Sequence, residues 1–184
     1  MFHMEQNVTF EIIELLLSQP LHAREVASKL KTNHMTILRR MRDLMSDNVL
    51  DMKSEGRNKV YLIKKSIEAR NAVLMTELYK LTRLVNNYPE LRRTVQQIQE
   101  NGRIKLAILF GSYAKGDAKR TSDIDIFIET QNRKLRSEIE NIDSRLSVKL
   151  GPYDRESALI KEIEKYHVII KGVEDFYEKT GHFS

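Results

Sequence analysis

The sequence predicts an α+β chain of two domains joined by a helical connector, and three observations carry that prediction. Residues 1–66 show helical apolar spacing that gives way to a period of two around a polar turn. Residues 67–102 keep helical spacing throughout. Residues 103–184 open on an apolar run, Ile104 to Phe110, that stops at Gly111-Ser112 and leads through a polar segment to a second apolar run carrying Asp123 and Asp125. The expected architecture is three helices plus a β-hairpin, then the connector, then a mixed α/β sheet domain.

In the first domain, Phe10, Ile12, Ile13, Leu15, Leu16 and Leu17 form the apolar stripe of a helix that Pro20 stops. A second helix is expected from Ala23 to Leu30, burying Val26, Ala27 and Leu30. Lys31-Thr32-Asn33 offers capping side chains for a third, from His34 to Ser46. Its apolar face is Ile37, Met41 and Leu44; its other face carries Thr36, Arg39, Arg40 and Arg42. Val49 to Lys53 and Lys59 to Ile63 then read as two strands around Ser54-Glu55-Gly56-Arg57-Asn58. The stretch LHAREVASKLKTNHMTILRRMRDLMSDNVL with its basic hairpin resembles the winged helix-turn-helix fold of prokaryotic regulators. That resemblance implies double-stranded DNA as a partner, with Thr36, Arg39 and Arg40 in the major groove and Arg57 and Lys59 reaching an adjacent backbone or minor groove. Nine Lys/Arg against four Asp/Glu between Lys31 and Ser66 agree with it. A winged helix used for dimerisation or protein binding, its arginines a solvated face, is the alternative.

In the connector, Ala72, Val73, Met75, Leu78, Leu81, Leu84 and Val85 recur at helical spacing up to Asn86-Asn87-Tyr88-Pro89, and a further helical stretch from Glu90 to Glu100 ends at Asn101-Gly102. The stripe serves equally to pair two copies as a homodimer or to pack on the chain's own second domain.

The second domain carries the chemistry. Side chains two apart on a strand share a face, so Asp123 and Asp125 point the same way. Two adjacent carboxylates repel unless a cation neutralises them, and a hard divalent ion with oxygen ligands does so. Glycine lets a backbone approach a ligand closely, and a strand turning into a helix at Gly111-Ser112 presents free N–H groups that favour phosphate. Lys115, Lys119 and Arg120 lie between the two halves and either offset phosphate charge or form a solvated basic loop. Beyond Ile128 the expected elements are a helix from Arg133 to Asp143, a strand from Leu146 to Leu150, a helix from Ser157 to Tyr166, a short strand Val168 to Ile170 and a last helix from Val173. Tyr113 and Tyr153 either stack on a base or pack in the core. The five histidines show no paired metal-ligand spacing.

Ser112 is followed by ten residues and then Asp-x-Asp. With the preceding strand, Gly116, Ser122-Asp123-Ile124-Asp125 and the apolar strand after it, this resembles the signature of the nucleotidyltransferase superfamily typified by DNA polymerase beta and kanamycin nucleotidyltransferase. It is most similar to the minimal nucleotidyltransferase domains of prokaryotes, including those paired with HEPN toxins, and the tail HVIIKGVEDFYE matches their closing segment. The resemblance implies Asp123 and Asp125 as catalytic and Mg²⁺-binding residues, two ions when the site is active. It implies Gly111, Ser112 and Lys115 as nucleotide-binding residues, an NTP substrate, a hydroxyl acceptor, and a protein acceptor or toxin as partner. It also implies a third carboxylate on the strand at Leu146 to Leu150, where Ser147 or Lys149 stands instead, with Asp143, Asp154 and Glu156 outside the strand. That departure keeps a second reading in view, a non-enzymatic regulator that senses nucleotide or binds a protein.

Composition bounds the rest. A chain of 184 residues suffices for one medium or two small domains, and its 41% hydrophobic content is ordinary for a folded protein. The absence of cysteine excludes disulfides and thiolate metal sites. No apolar run approaches the ~20 residues of a membrane span, and no basic-then-apolar leader begins the chain, so a cytoplasmic location is expected. A net charge of +5 suits a polyanionic partner.

Overall fold

The computed structural model describes residues 4–56 and 58–183. In chain order the elements are α1 (Met4–Ser18), β1 (Leu21–His22), α2 (Ala23–Lys29), α3 (His34–Ser46), β2 (Leu50–Glu55), β3 (Asn58–Ile63), α4 (Ile67–Asn87), a 3₁₀ turn (Pro89–Leu91), α5 (Arg92–Glu100), β4 (Ala107–Phe110), α6 (Gly111–Lys115), β5 (Ile124–Glu129), α7 (Arg133–Glu140), β6 (Leu146–Gly151), α8 (Ala158–Lys165), β7 (Val168–Lys171) and α9 (Val173–Thr180). The chain divides into two units, one up to Thr76 and one over residues 77–182.

In the first unit, Ile12, Ile13 and Leu16 of α1, Val26 and Ala27 of α2, and Ile37, Met41 and Leu44 of α3 are all buried, as the apolar spacing requires. Asn33 caps α3 by accepting the Met35 N–H at 2.7 Å. The hairpin of β2 and β3 is tighter than expected, its strands running to Glu55 and from Asn58. The two-residue β1 adds to β3 by pairing Leu21 with Tyr61 and His22 with Val60, giving an antiparallel sheet in the order β1-β3-β2. A strand this short leaves no periodicity to read.

In the second unit the sheet order is β6-β5-β4-β7, with β5 and β6 parallel and the other pairs antiparallel. The apolar run expected as one strand from Ile104 is a strand only from Ala107, because the Ile104 N–H turns back to the Asn101 carbonyl (3.1 Å); Ile104 and Leu106 are nonetheless buried. Helix α7 stops at Glu140, short of Asp143, whose carboxylate takes the Arg145 N–H at 2.9 Å. Ile124, Ile126 and Ile128 of β5 share one apolar cluster with Leu109, Leu135 and Val148, and with Leu81, Leu84, Val95 and Ile98. The expected connector is therefore divided. Its later part packs on the sheet, one of the two uses its stripe left open, and that packing needs no second copy. Gly172 (φ +83°) holds a crossing that no other residue fits, since a Cβ there would lie 2.3 Å from the Lys105 carbonyl oxygen.

A cluster of polar side chains sits deep in this unit. Glu77 of α4 is fully buried, and its Oε1 accepts from Lys80 Nζ at 3.0 Å and from the Tyr177 hydroxyl at 2.8 Å. His167 Nδ1 lies 2.9 Å from the Ile163 carbonyl, an arrangement that puts the proton on Nδ1, and Nε2 lies 3.9 Å from Glu77 Oε1. Burial, then the Lys80 ammonium, lowers the His167 pKa from 6.5 to about 4, so the folded chain keeps this imidazole neutral while the unfolded chain protonates it. The stability that neutral His167 contributes is complete above pH 6.5 and declines as pH falls to about 4. Urea melts at pH 7 and pH 4.5 are expected to lose less stability between the two pH values in His167→Asn than in the native chain; equal losses would show that His167 does not set this dependence.

Candidate functional site

The site is built at the end of β4. Phe110 is the last strand residue, and the chain turns at Gly111 into the five-residue α6. Gly111 has φ +70°, and a Cβ on it would stand 2.6 Å from Oδ2 of Asp125, so only glycine admits both the turn and the carboxylate. Gly111 and Ser112 open this helical turn, where N–H groups lack partners within the helix. The turn ends at Gly116, whose left-handed conformation (φ +79°) sends the chain into the loop. Ser122 pins that loop: its Oγ accepts the Lys119 N–H at 2.9 Å while its own N–H donates to the Lys119 carbonyl at 2.9 Å. Ile124 N–H then donates to the Arg145 carbonyl at 2.8 Å, which fixes where β5 begins.

Asp125 is the second residue of β5, half-buried, opposite Phe110 on β4 and Ser147 on β6. Asp123 precedes the strand and is exposed. Desolvation raises the Asp125 pKa above 3.8; the Ser147 hydroxyl bond and the Lys149 charge lower it, and the charges of Asp123 and Glu162 raise it. Ser147, in register with Asp125 on the neighbouring parallel strand, thus occupies the position where a further carboxylate was expected. The nearby acids are otherwise engaged: Asp143 pairs with Arg145 at 2.7 Å, Asp154 accepts the Glu156 N–H at 3.0 Å, and Glu156 pairs with Lys161 at 3.0 Å.

The acid that sequence reasoning missed is Glu162 of α8. It pairs with Lys115 at 3.3 Å, and its charge acts on Asp125. No spacing rule links residue 162 to residue 125; the tertiary fold brings α8 close enough for Glu162 to pair with Lys115 and act on Asp125. Among the described residues no three carboxylate, imidazole or thiolate groups come together at metal-holding geometry. Asp123 and Asp125 are the two carboxylates whose oxygens could hold a hard cation, and the Asp123 charge raises the pKa of Asp125.

The two tyrosines considered for base stacking pack against other rings, Tyr113 in the core and Tyr153 half-buried. Tyr113 is buried, 4.9 Å edge-on to Tyr88, and its hydroxyl takes a bond from Arg145 Nη1 at 3.3 Å. Tyr153 stands edge-on to Phe127 and Phe176 and donates its hydroxyl to Glu164 at 3.1 Å; burial raises its pKa. Lys119 and Arg120 are exposed in the loop.

In the first unit, α3 presents Arg39 exposed, Thr36 half-buried and Arg40 half-buried beside Asp43 at 3.6 Å. Lys59 is exposed at the start of β3, and its carbonyl accepts from His22 Nδ1 at 3.0 Å. Arg57 lies outside the described residues.

Residues 90–180 match the nucleotidyltransferase domain family. A protein of Methanocaldococcus jannaschii, provisionally named protein adenylyltransferase, is 49% identical over 39 residues, covering 21% of this chain and 45% of that protein. A second protein of that organism with the same provisional name is 35% identical over 65 residues, covering 35% of this chain and 70% of that protein. The chain thus spans less than half the length of the first of these relatives and 70% of the second.

Asp125 links the site to stability. Its raised pKa means the folded state favours the protonated acid, so its contribution to stability is present at low pH and lost as pH rises through 3.8 and the raised folded value. Asp125→Asn, which removes the charge, is expected to raise the melting temperature at pH 7 and to leave it unchanged near pH 3. Thermal melts at both pH values check this, and an Asn variant that melts lower at pH 7 would contradict it.

Proposed function

The chain belongs to the nucleotidyltransferase domain family, and on that premise we propose that it transfers a nucleoside monophosphate from an NTP to a hydroxyl acceptor. The observation that carries the reading is the closeness of Asp125 to Gly111, where a Cβ would stand 2.6 Å from the Asp125 carboxylate; it sets that carboxylate beside the glycine turn that suits a phosphate chain. Gly111 and Ser112 bind the β- and γ-phosphates through backbone N–H groups, and Lys115 offsets their charge. Asp123 and Asp125 hold Mg²⁺, which when bound supplies charge neutralisation for the phosphates and the reacting oxygens. The acceptor hydroxyl attacks the α-phosphorus in line and loses its proton to solvent; the new P–O bond forms as the bond from the α-phosphorus to the bridging oxygen breaks, and pyrophosphate leaves. The relatives named protein adenylyltransferase support ATP as the donor and a protein hydroxyl as the acceptor.

One observation supports a slower reaction or none. Ser147 stands where a general base would sit, and the absence of such a base typically lowers a rate by about 10² to 10⁴. The second reading is accordingly a regulator that binds nucleotide without turnover and acts through DNA or a protein partner such as a HEPN-type toxin. Both readings take the first unit as a winged helix that binds DNA, supported by the basic outer face of α3.

Calorimetric titration of Mg-ATP is expected to show binding that Asp123→Asn/Asp125→Asn loses by at least about 100-fold, the scale of two charge-assisted contacts. Binding unchanged in the double variant would overturn the site. Transfer of label from α-³²P-ATP to protein then separates enzyme from sensor. For the first unit, Arg39→Ala is expected to weaken binding to duplex DNA and to reduce the slope of log affinity against log salt by about 1. An unchanged slope would mean that Arg39 meets no phosphate.

A further inference from the structure

A nucleotide presents two chemistries, a charged phosphate chain and a flat aromatic base. The site described above supplies the first, through Gly111, Ser112 and the carboxylates. The Tyr113 ring is buried, the half-buried Tyr153 ring is flanked edge-on by Phe127 and Phe176, and both hydroxyls are engaged, so neither presents a free face for the second.

Tyr166 does. It follows the last residue of α8, its N–H donating back to the Glu162 carbonyl, and the residue is 54% exposed. The other large apolar residues with such exposure among the described residues, Met35, Ile67, Met75 and Leu78, are aliphatic and lie on α3 and α4. Tyr166 is aromatic, and it is joined to the site. Glu162 lies in the last turn of α8 and Tyr166 is its extended C-terminal cap, and one side chain, Lys115, lies near both. Together they hold the Lys115 ammonium, at 3.3 Å from Glu162 Oε1 and 5.7 Å from the Tyr166 ring centroid. Lys115 stands four residues along α6 from Gly111, a rise of about 6 Å, and a Cβ on Gly111 would stand 2.6 Å from the Asp125 carboxylate. The groups at this mouth therefore pass from carboxylate and free N–H, through a fixed cation, to an exposed aromatic ring. An aromatic face beside a basic group is how proteins bind a nucleobase without reading its edge.

We propose that Tyr166 is the stacking platform for the base of the bound nucleotide, and that Glu162 positions Lys115 between that platform and the phosphates. The assignment rests on the nucleotidyltransferase reading of the site. It gives α8, which carries none of the family motif, the recognition of the donor. Recognition by stacking is tolerant of base identity, because every base has a π-face.

The test is calorimetric titration of the full chain with Mg-ATP and, separately, with Mg-tripolyphosphate, which has the phosphates and no base. Tyr166→Leu keeps the bulk and removes the ring; Tyr166→Phe keeps the ring. Tyr166→Leu is expected to weaken ATP about 10-fold or more, the loss a stacked base carries. It should change tripolyphosphate only by the few-fold that an exposed cation–π contact is worth. Tyr166→Phe is expected to retain the native affinity for both. Equal effects of Tyr166→Leu on the two ligands, or no effect on ATP, overturn the stacking assignment and leave the phosphate site standing, as does loss of ATP affinity in Tyr166→Phe. A native chain that binds neither ligand overturns the nucleotidyltransferase reading itself, and the platform with it.

Discussion

The site depends on the close approach of Gly111 and Asp125. A Cβ at Gly111 would stand 2.6 Å from an Asp125 carboxylate oxygen and φ is +70°, so the turn favours glycine, and the β4–β5 register sets Asp125 opposite Phe110. A slip of one residue would turn Asp125 into the apolar cluster and Ile124 or Ile126 out of it. The apolar spacing of β5 and the position of the carboxylate are therefore one specification. The raised pKa of Asp125 is the thermodynamic mark of that placement.

The sheet divides its labour between its two faces. Ile124, Ile126 and Ile128 face the cluster formed with α4, α5 and α7. The alternate residues, Asp125, Phe127 and Glu129, face the other way. There Tyr153 stands edge-on to Phe127, and Phe176 stands edge-on to Tyr153. A rigid apolar face thus holds the strand that carries the carboxylate, while α8 brings Glu162 and Tyr166 to Lys115 on α6. In the same unit Glu77 Oε1 accepts bonds from Lys80 and Tyr177, so a carboxylate buried beneath the helices draws a partner from as far along the chain as α9.

The first unit follows a different economy. Its α3 is amphipathic, with Ile37, Met41 and Leu44 buried and Arg39 and Arg42 exposed. The burial of one face fixes the helix, and the opposite face is left to carry charge at no cost to packing.

Much of this was legible in the residues. The bounds of α3, the order of strands and helices after Ile104, and the placement of Asp125 on a strand beside the Gly111 turn follow from spacing, capping and glycine chemistry, all of which act over a few residues. The short β1, the early end of α7 and the late start of β4 were not legible, because each is decided by a hydrogen bond to a partner outside its own period. The division of the α4–α5 segment was likewise hidden: an apolar stripe declares that a face is buried and not what buries it. Glu162 and Tyr166 come to the site only because α8 crosses beside α6, and no local pattern encodes that crossing. The sequence by itself determined the strand, the turn and the carboxylates, since these are neighbours along the chain. The tertiary structure alone decided that Ser147 faces Asp125 and that α8 supplies an acid and an aromatic ring, since those partners meet through packing over long separations.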